Sequence, residues 1–300
     1  MSTDRATISL VDITTPNLTL GGITAYSLNP GLNTLIAAGG GVVDPTFSAL
    51  MTAGTVFSFT SRDIGTLLAA AGIAGAEATT VVAFLQNLAA YGTRGGASLH
   101  TKITIGKAFL VPRTLTATAG GEATISYDVI AISADGTTAP IAVLASQSLT
   151  AGGGTSAAFT AGPCSINGTA LTVASITVDF GLDVRPVIDD ANVYPTSAYI
   201  ANRRPTISIS SPDMAALATI TAAGVVQSAT DSVVYFAQLE EGATRKAGST
   251  HISLTVDDGR IEIGSLSGSD GEPVGSEIVI KPISDGTAAI MAVDVAAALL

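Results

Sequence analysis

The chain has few of the residues on which cross-linking and catalysis depend. Its 300 residues include one cysteine, two histidines and no tryptophan, and only 12% of them are charged. The single cysteine, Cys164, excludes an intrachain disulfide and a cysteine-based metal cluster. We therefore expect the protein to fold in a reducing cytoplasm, where disulfides are rare.

Basic residues and long apolar runs are also scarce. Lysine and arginine number 13 against 24 aspartates and glutamates, so the net charge is -11. Proteins that wrap nucleic acid need clustered cations for the phosphates, and this composition argues against that class.

No apolar run reaches about 18 residues, so we expect no membrane span. Residues 1–6 lack the basic and apolar parts of a signal peptide. A hydrophobic content of 47% excludes a disordered chain.

What the chain does contain is an internal repeat. Ser-Leu-His-Thr-Lys-Ile-Thr-Ile at 98–105 returns as Ser-Thr-His-Ile-Ser-Leu-Thr-Val at 249–256, so His100 and His251 occupy the same place in two copies. Asp-Gly-Thr likewise occurs at 135–137 and at 285–287, and the offset stays between 150 and 153 residues along the chain. We interpret this as a tandem duplication that covers nearly the whole sequence.

The repeat defines the expected domain boundaries. Residues 1–16 are expected to form an N-terminal arm, 17–150 the first copy, 151–161 a flexible linker rich in glycine, and 162–300 the second copy. Each copy is large enough for a core of its own.

Period-two alternation predicts a mainly β chain. Residues 56–60 and 206–210 alternate apolar and polar side chains, as half-buried strands do. A short helix is expected after each of them; in the second copy Ser211 is the expected N-cap and Gly224 the expected end. Residues 77–90 have helical as well as strand character. Their repeat partner, 231–238, is short and β-branched, so we predict strands for both.

Two long segments, 29–53 and 183–202, are expected to be irregular loops that bind something outside their own domain. Their apolar side chains suit a contact better than solvent; they are Leu35, Ile36, Phe47, Leu50, Val193, Tyr199 and Ile200. A floppy insertion is the alternative interpretation.

Residues for catalysis are not evident in the sequence. The alternation around the second histidine predicts that both histidines face solvent on strands, far from the partners that a catalytic triad needs. The glycine triplets at 39–41 and 152–154 lack the motifs of phosphate or dinucleotide sites and are interpreted as hinges. The aspartate pairs at 189–190 and 257–258 lack the spacing of a calcium loop. We expect no enzymatic activity, no metal and no cofactor.

A duplicated, mostly β unit with a long segment after its first strand and one short helix resembles the tail tube (major tail) protein of long-tailed bacteriophages. The likeness is greatest to the kind in which two tube domains are fused in one chain. The stretches that carry the resemblance are 55–72 with 206–224, and 121–143 with 271–293. It spans the whole chain and rests on element order and composition.

The resemblance implies two tandem homologous β-sandwich domains, each with one short helix, that contribute strands to a β-barrel ring of six domains. With two domains per chain, the ring is expected to be a homotrimer with pseudo-sixfold appearance. The implied partners are further copies of the chain in stacked rings, contacting through the long segments, other tail proteins, and DNA that passes through the lumen without specific binding. The protein would be assembled in the host cytoplasm and located in the virion. Another virion component with duplicated β domains, such as a baseplate ring, capsid decoration or adhesin module, is the second hypothesis.

The two copies differ in charge. Residues 1–150 contain 6 basic and 8 acidic residues, whereas residues 151–300 contain 7 and 16. An acidic bore would let DNA slide, because it offers the phosphates no cations. We therefore predict that Asp179, Asp257, Glu262 and Glu277 line the bore. Outer-surface charges that favour solubility are the alternative.

Overall fold

The computed structural model describes residues 5–38, 44–88, 100–148, 157–222, 224, 226–240, 245–267, 275–284, 286 and 289–299. We refer to 5–148 as the first half and to 157–299 as the second half. Within the described residues the protein is mainly β, as predicted, with 24 strands and two short α-helices. Neither helix is long and apolar enough to cross a membrane.

The first half contains twelve strands and one helix. They are β1 (Arg5–Ile13), β2 (Leu18–Leu20), β3 (Ile23–Asn29), β4 (Leu32–Ala37), β5 (Phe47–Ala53), β6 (Val56–Ser61), α1 (Ile64–Ala71), β7 (Ala76–Ala78), β8 (Val81–Leu88), β9 (His100–Ile105), β10 (Lys107–Thr118), β11 (Thr124–Ile132) and β12 (Ile141–Gln147).

The second half has the same elements in the same order. They are β13 (Phe159–Ile166), β14 (Thr169–Leu171), β15 (Ser175–Asp179), β16 (Leu182–Val187), β17 (Ser197–Arg203), β18 (Thr206–Ser211), α2 (Met214–Thr221), β19 (Val226–Ala229), β20 (Ser232–Gln238), β21 (His251–Val256), β22 (Gly259–Ser267), β23 (Gly275–Pro282) and β24 (Ala292–Ala297).

The strands of the two halves also pair in the same way. The first half has an antiparallel sheet in the order β12-β9-β8-β1-β2, and the second half has its counterpart, β24-β21-β20-β13-β14. Most of the other strands join one ten-stranded sheet in the order β19-β22-β23-β18-β15-β10-β11-β6-β3, with β7 beside β10. This sheet is open, and β19 and β3 lie at its two ends.

Alternation places apolar side chains on one face of the ten-stranded sheet. In β6 the buried residues are Phe57 and Phe59, and in β18 they are Ile207 and Ile209. Each copy is large enough for a core of its own, and most of the buried apolar residues form one continuous cluster that includes side chains of both halves. The halves therefore pack against each other.

Helix α2 begins and ends slightly differently from the prediction. The N-cap of α2 is Asp213, whose carboxylate accepts a 3.0 Å hydrogen bond from Ala216 N. Ser211 was the predicted N-cap; its Oγ instead accepts from Asp213 N and orders the turn before the helix. The C-cap of α2 is Ala222 and not Gly224, whereas α1 ends at Gly72.

The two long segments are not irregular, which corrects our expectation. β4 pairs with β5 and β16 pairs with β17, so each segment is a two-stranded antiparallel hairpin. Residues 38–46 and 188–196 connect the strands. Antiparallel pairing satisfies the backbone hydrogen-bonding groups of these segments, although their side chains remain exposed. The sequence did not predict the hairpins because their nine-residue connections are longer than the short turns that usually mark a hairpin.

The arm and the linker are also partly strand. Residues 5–13 of the expected arm form β1, which is hydrogen-bonded between β2 and β8. Residues 159–161 of the expected linker belong to β13. Residues 1–4 and 151–156, and the expected hinge at 39–41, lie outside the described residues.

Candidate assembly interface

A strand pair joins the two halves. The C-terminal part of β10 pairs antiparallel with β15, so that Leu115 lies opposite Val178 and Ala117 opposite Ile176. All four side chains are buried. The N-terminal part of β10 pairs with β7, and a bulge between Pro112 and Leu115 separates the parts. The ten-stranded sheet is therefore continuous across the boundary between the halves.

The second hairpin makes a further contact with the first half through its connection, residues 188–196. Gly136 O accepts hydrogen bonds from Val193 N and Tyr194 N, each at 3.0 Å, and Ser133 N donates to Pro195 O at 2.7 Å. These are backbone bonds, so they depend on the shape of the connection and of the turn that receives it.

The receiving turn, residues 133–138, is ordered by its own polar groups. The Asp135 carboxylate accepts from Thr138 N at 2.8 Å and from Thr137 N at 3.0 Å, and these bonds hold its pKa well below its usual range. Gly136 has a φ of +72°, and a Cβ built there would lie 2.2 Å from Asn192 Cγ. Only glycine allows the second hairpin to approach this closely.

Helix α1 forms a third contact between the halves. It lies against β24, and a Cβ built on Gly65 would lie 3.6 Å from the ring of Phe159 in β13. Ile64, at the start of the helix, is completely buried. The boundary between the halves is therefore closed by a strand pair, a docked hairpin connection and a packed helix.

One end of the ten-stranded sheet is β3, the counterpart of β15. Among the described residues, no strand covers the edge of β3 that corresponds to the edge of β15 paired with β10. Register against β6 and β18 makes Leu28 the counterpart of Val178 and Tyr26 the counterpart of Ile176. Leu28 and Tyr26 are each 37% exposed, whereas their counterparts are at most 1% exposed. The difference arises because β10 covers β15, while β3 is the end strand of the sheet.

The other outer end carries the complementary surface. Ile283, the counterpart of Ile132, is 51% exposed against 2%. Met214, the counterpart of Ile64, is 42% exposed against 0%. A Cβ built on Gly286, the counterpart of Gly136, would meet no atom of the described residues within 4 Å.

β22 completes this second end. It pairs with β19 through residues 259–262, as β10 pairs with β7, and it has the same bulge, between Ile263 and Leu266. Beyond the bulge, β22 has β23 on one side and, among the described residues, no strand on the other. In β10 the corresponding edge binds β15.

The two histidines are buried, so the prediction that they face solvent is wrong. His100 is 3% and His251 is 1% exposed. His251 Nδ1 accepts a 3.0 Å hydrogen bond from Gln238 N, and burial lowers the pKa of the imidazole. The alternation failed because β21 is covered on both faces, with His251 through Leu254 all buried.

Other reactive groups are few in the part of the chain that the structure describes. Its acidic, histidine and cysteine side chains form no group of three or more that could hold a metal ion. Burial raises the pKa of the Cys164 thiol to about 12, which keeps the sulfur protonated and unreactive at neutral pH.

Three of the four predicted bore residues share the polar face of the ten-stranded sheet. Asp179, Glu277 and Glu262 lie on β15, β23 and β22, on the side opposite the buried isoleucines. Asp257 is outside this face, in the turn between β21 and β22. The Glu262 carboxylate forms an ion pair with Lys281 at 2.5 Å, which offsets its charge.

The rest of this face consists largely of hydroxyl groups. Shallow concavities occur at matching places in the two halves, one around Ser58 and Thr60 and the other around Ser208 and Ser210. Sequence reasoning missed Asp128, which binds Arg113 Nε at 2.6 Å and accepts from Ser58 Oγ. The alternating serines and threonines of β6 and β18 were the signal for the face as a whole.

The predicted contact residues lie mainly on the hairpins and are exposed. The exposed fractions in the first hairpin are 44% for Leu35, 64% for Ile36, 56% for Phe47 and 38% for Leu50; in the second they are 53% for Tyr199 and 41% for Ile200. Val193 lies in the connection of the second hairpin and is only partly exposed. Its N–H donates to Gly136 O and its C=O accepts from Ala53 N, both in the first half.

Comparison with known proteins adds no relatives. No family profile matches the chain, and no curated protein sequence matches it.

Proposed function

We propose that the protein is a self-assembling structural protein of a phage tail tube, in which three copies close into a ring and rings stack around a lumen that conducts DNA. The observation that carries the proposal is that the two outer ends expose the surfaces that the halves bury against each other. Exposed apolar side chains at matching positions favour a second copy of this chain as the partner.

The chain-to-chain contact repeats the contact between the halves. β22 of one copy pairs antiparallel with β3 of the next, as β10 pairs with β15. Because Leu115 lies opposite Val178, the matching registers place Leu266 opposite Leu28. The pairing would cover an open sheet edge, which is a ready template for strand addition.

A head-to-tail contact of this kind either closes into a ring or continues as a filament. With two similar halves in each chain, a ring of three copies presents six similar units. The ten-stranded sheets of the copies then join into one closed barrel, whose strands leave no free edge. The proposal thus retains the tandem β-sandwich organisation and the trimeric ring.

The polar face of the ten-stranded sheet is assigned to the lumen. Hydroxyl groups and carboxylates, among them Asp179 and Glu277, predominate among the described residues of this face. These groups offer DNA phosphates no positive charge to bind. The exposed hairpins are assigned to contacts between stacked rings and with other tail proteins. In this account the protein assembles in the host cytoplasm and resides in the virion.

Negative-stain electron microscopy of the purified protein, with mass measurement of the particles, tests the proposal. We expect rings of three chains with a sixfold outline and a central hole, and stacks of such rings at higher concentration. Rings that never stack would favour the baseplate-type alternative. Rings of six whole chains, or a monomer under all conditions, would contradict the proposal.

A further inference from the structure

Residues 44–46, the described end of the first hairpin's connection, correspond to residues 194–196 of the second. Pro45-Thr46 corresponds to Pro195-Thr196. Thr46 N donates to Ala37 O at 3.0 Å, and Thr196 N donates to Val187 O at the same distance. Where the structure describes both connections, they therefore join the next strand with the same hydrogen bond.

The surface that receives the second hairpin also occurs twice. In the first half it is the turn around Ser133 and Gly136, and Ile132 beside it is buried. The second half has Ile283, Ser284 and Gly286 in the same order, and Gly286 N donates to Ser284 Oγ as Gly136 N donates to Ser133 Oγ. Gly286 has a φ of +88°, close to the +72° of Gly136.

The two turns differ in what covers them. The first carries the connection of the second hairpin, with Asn192 directly over Gly136. The second has a half-exposed isoleucine, and no atom in the described part of the chain lies within 4 Å of a Cβ built on its glycine. One hairpin connection and one receiving turn therefore remain at opposite ends of the chain.

We infer that the connection of the first hairpin, at Asp44–Thr46, docks on the turn at Ile283, Ser284 and Gly286 of the neighbouring copy. The inference rests on the head-to-tail assembly proposed above and adds a second contact to the strand pair. By analogy with the Ser133–Pro195 bond, Ser284 N donates to Pro45 O of the neighbour, and Ile283 becomes buried. Each junction in the ring then has two contacts, the β22–β3 strand pair in the sheet and the docked hairpin connection outside it.

Cysteine pairs test this contact in the full chain. Backbone groups that bond as Ser133 and Pro195 do bring Cα atoms within the range that a disulfide spans. We expect Pro45→Cys with Ser284→Cys to form intermolecular disulfides in assembled rings under mild oxidation. The matched control, Pro45→Cys with Thr219→Cys on the exposed side of α2, should not cross-link. Cys164 is buried and should not take part.

A second variant measures the energetic role of the contact. Ile283→Arg changes an exposed side chain, so the chain should fold with unchanged cooperativity, whereas the dissociation constant of the ring should rise at least about tenfold. Rings that form normally without the Pro45–Ser284 disulfide and tolerate Ile283→Arg would overturn the inference and leave the proposed function standing. A chain that forms no rings at all would overturn both.

Discussion

At the residue scale, Tyr127 links the ten-stranded sheet to helix α1. Its ring is completely buried and stacks on Phe59 with 6.0 Å between centroids. Its hydroxyl donates to Gly72 O at 2.9 Å, which satisfies the carbonyl at the helix end, and burial raises the pKa of the phenol. One side chain thus provides both apolar packing and a cap.

Tyr127→Phe should lower the free energy of unfolding by about 1 kcal/mol, because it leaves the part-buried Gly72 carbonyl without its donor and preserves the ring packing. Urea unfolding measures the loss. Tyr199→Phe, at a 53% exposed position, should change stability by no more than about 0.5 kcal/mol. Equal losses in the two variants would show that the hydrogen bond is not the cause.

His251 should make stability fall on mild acidification. Its pKa in the folded protein is lowered by burial, so between neutral pH and about pH 5.5 the unfolded chain binds more protons than the folded one. The contribution is complete above the ordinary histidine pKa and is lost as the pH falls below it. Carboxylates with lowered pKa values, such as Asp135, act only at lower pH.

The measurement compares unfolding at pH 7.5 and pH 5.5 in the native protein and in His251→Asn, whose amide oxygen takes the place of Nδ1 and can still accept from Gln238 N. We expect the variant to lose less stability between the two pH values. The second histidine is unchanged in both proteins, so its effect cancels. An identical pH dependence would show that His251 does not titrate on unfolding in this range.

Residue identities predicted the buried and exposed faces of strands that are covered on one side only. Phe57, Phe59, Ile207 and Ile209 are buried as the period-two pattern indicates. The histidines were misplaced because alternation carries no information once both faces are covered. The exposure of Leu28 and Ile283 could not be predicted either, because it depends on which surfaces the other half of the chain covers.

At the element scale, the two long segments are hairpins and not irregular loops, and their contact with a neighbouring ring stays a prediction. Their apolar side chains were recognised as unsuited to solvent, and most are exposed. Their strands were missed because the connections are much longer than the turns that mark a hairpin. Element order along the rest of the chain followed from the repeat, since each copy resolved ambiguities in the other.

Charges on the first hairpin should block stacking and leave rings intact. Ile36→Arg with Phe47→Arg replaces two exposed side chains, so folding and ring formation should be unaffected, whereas burying the guanidinium groups between rings is unfavourable. The readout is tube length in electron micrographs. Ile283→Arg is the reciprocal control, because it should reduce the rings themselves. Long tubes from the double variant would remove the hairpins from the stacking contact.

Lysines on the polar face should make the tube retain DNA. In Asp179→Lys with Glu277→Lys, short duplexes should become trapped in a form protected from nuclease, with retention lost between about 50 and 200 mM salt. Asp294→Lys, on the five-stranded sheet of the second half, is the control for binding outside the lumen, where nuclease has access. Absence of protected DNA in the double variant would indicate that this face is not the lumen.

At the scale of the whole molecule, the sequence repeat corresponds to two halves with identical element order and strand pairing. What the sequence could not predict is the path of β10, which pairs with β7 in its own half and with β15 in the other. A strand shared in this way has no signature in side-chain alternation. In the proposed assembly, the same strand pairing adds further copies of the chain.

We expect the junction between chains to repeat the junction between the halves. Leu28→Cys with Leu266→Cys places one cysteine on β3 and one on the part of β22 beyond the bulge, at the predicted register. Leu115→Cys with Val178→Cys is the intrachain equivalent, and Leu28→Cys with Ile263→Cys is a mismatched pair on the other side of the bulge.

The measurement is the mass of the cross-linked species after mild oxidation and denaturation. We expect the Leu28–Leu266 pair to yield a covalent trimer as the largest product, because each chain in a closed ring of three is linked to both neighbours. The mismatched pair should give no such product. A ladder that extends beyond three chains, or no intermolecular disulfide in assembled particles, would contradict the proposed junction.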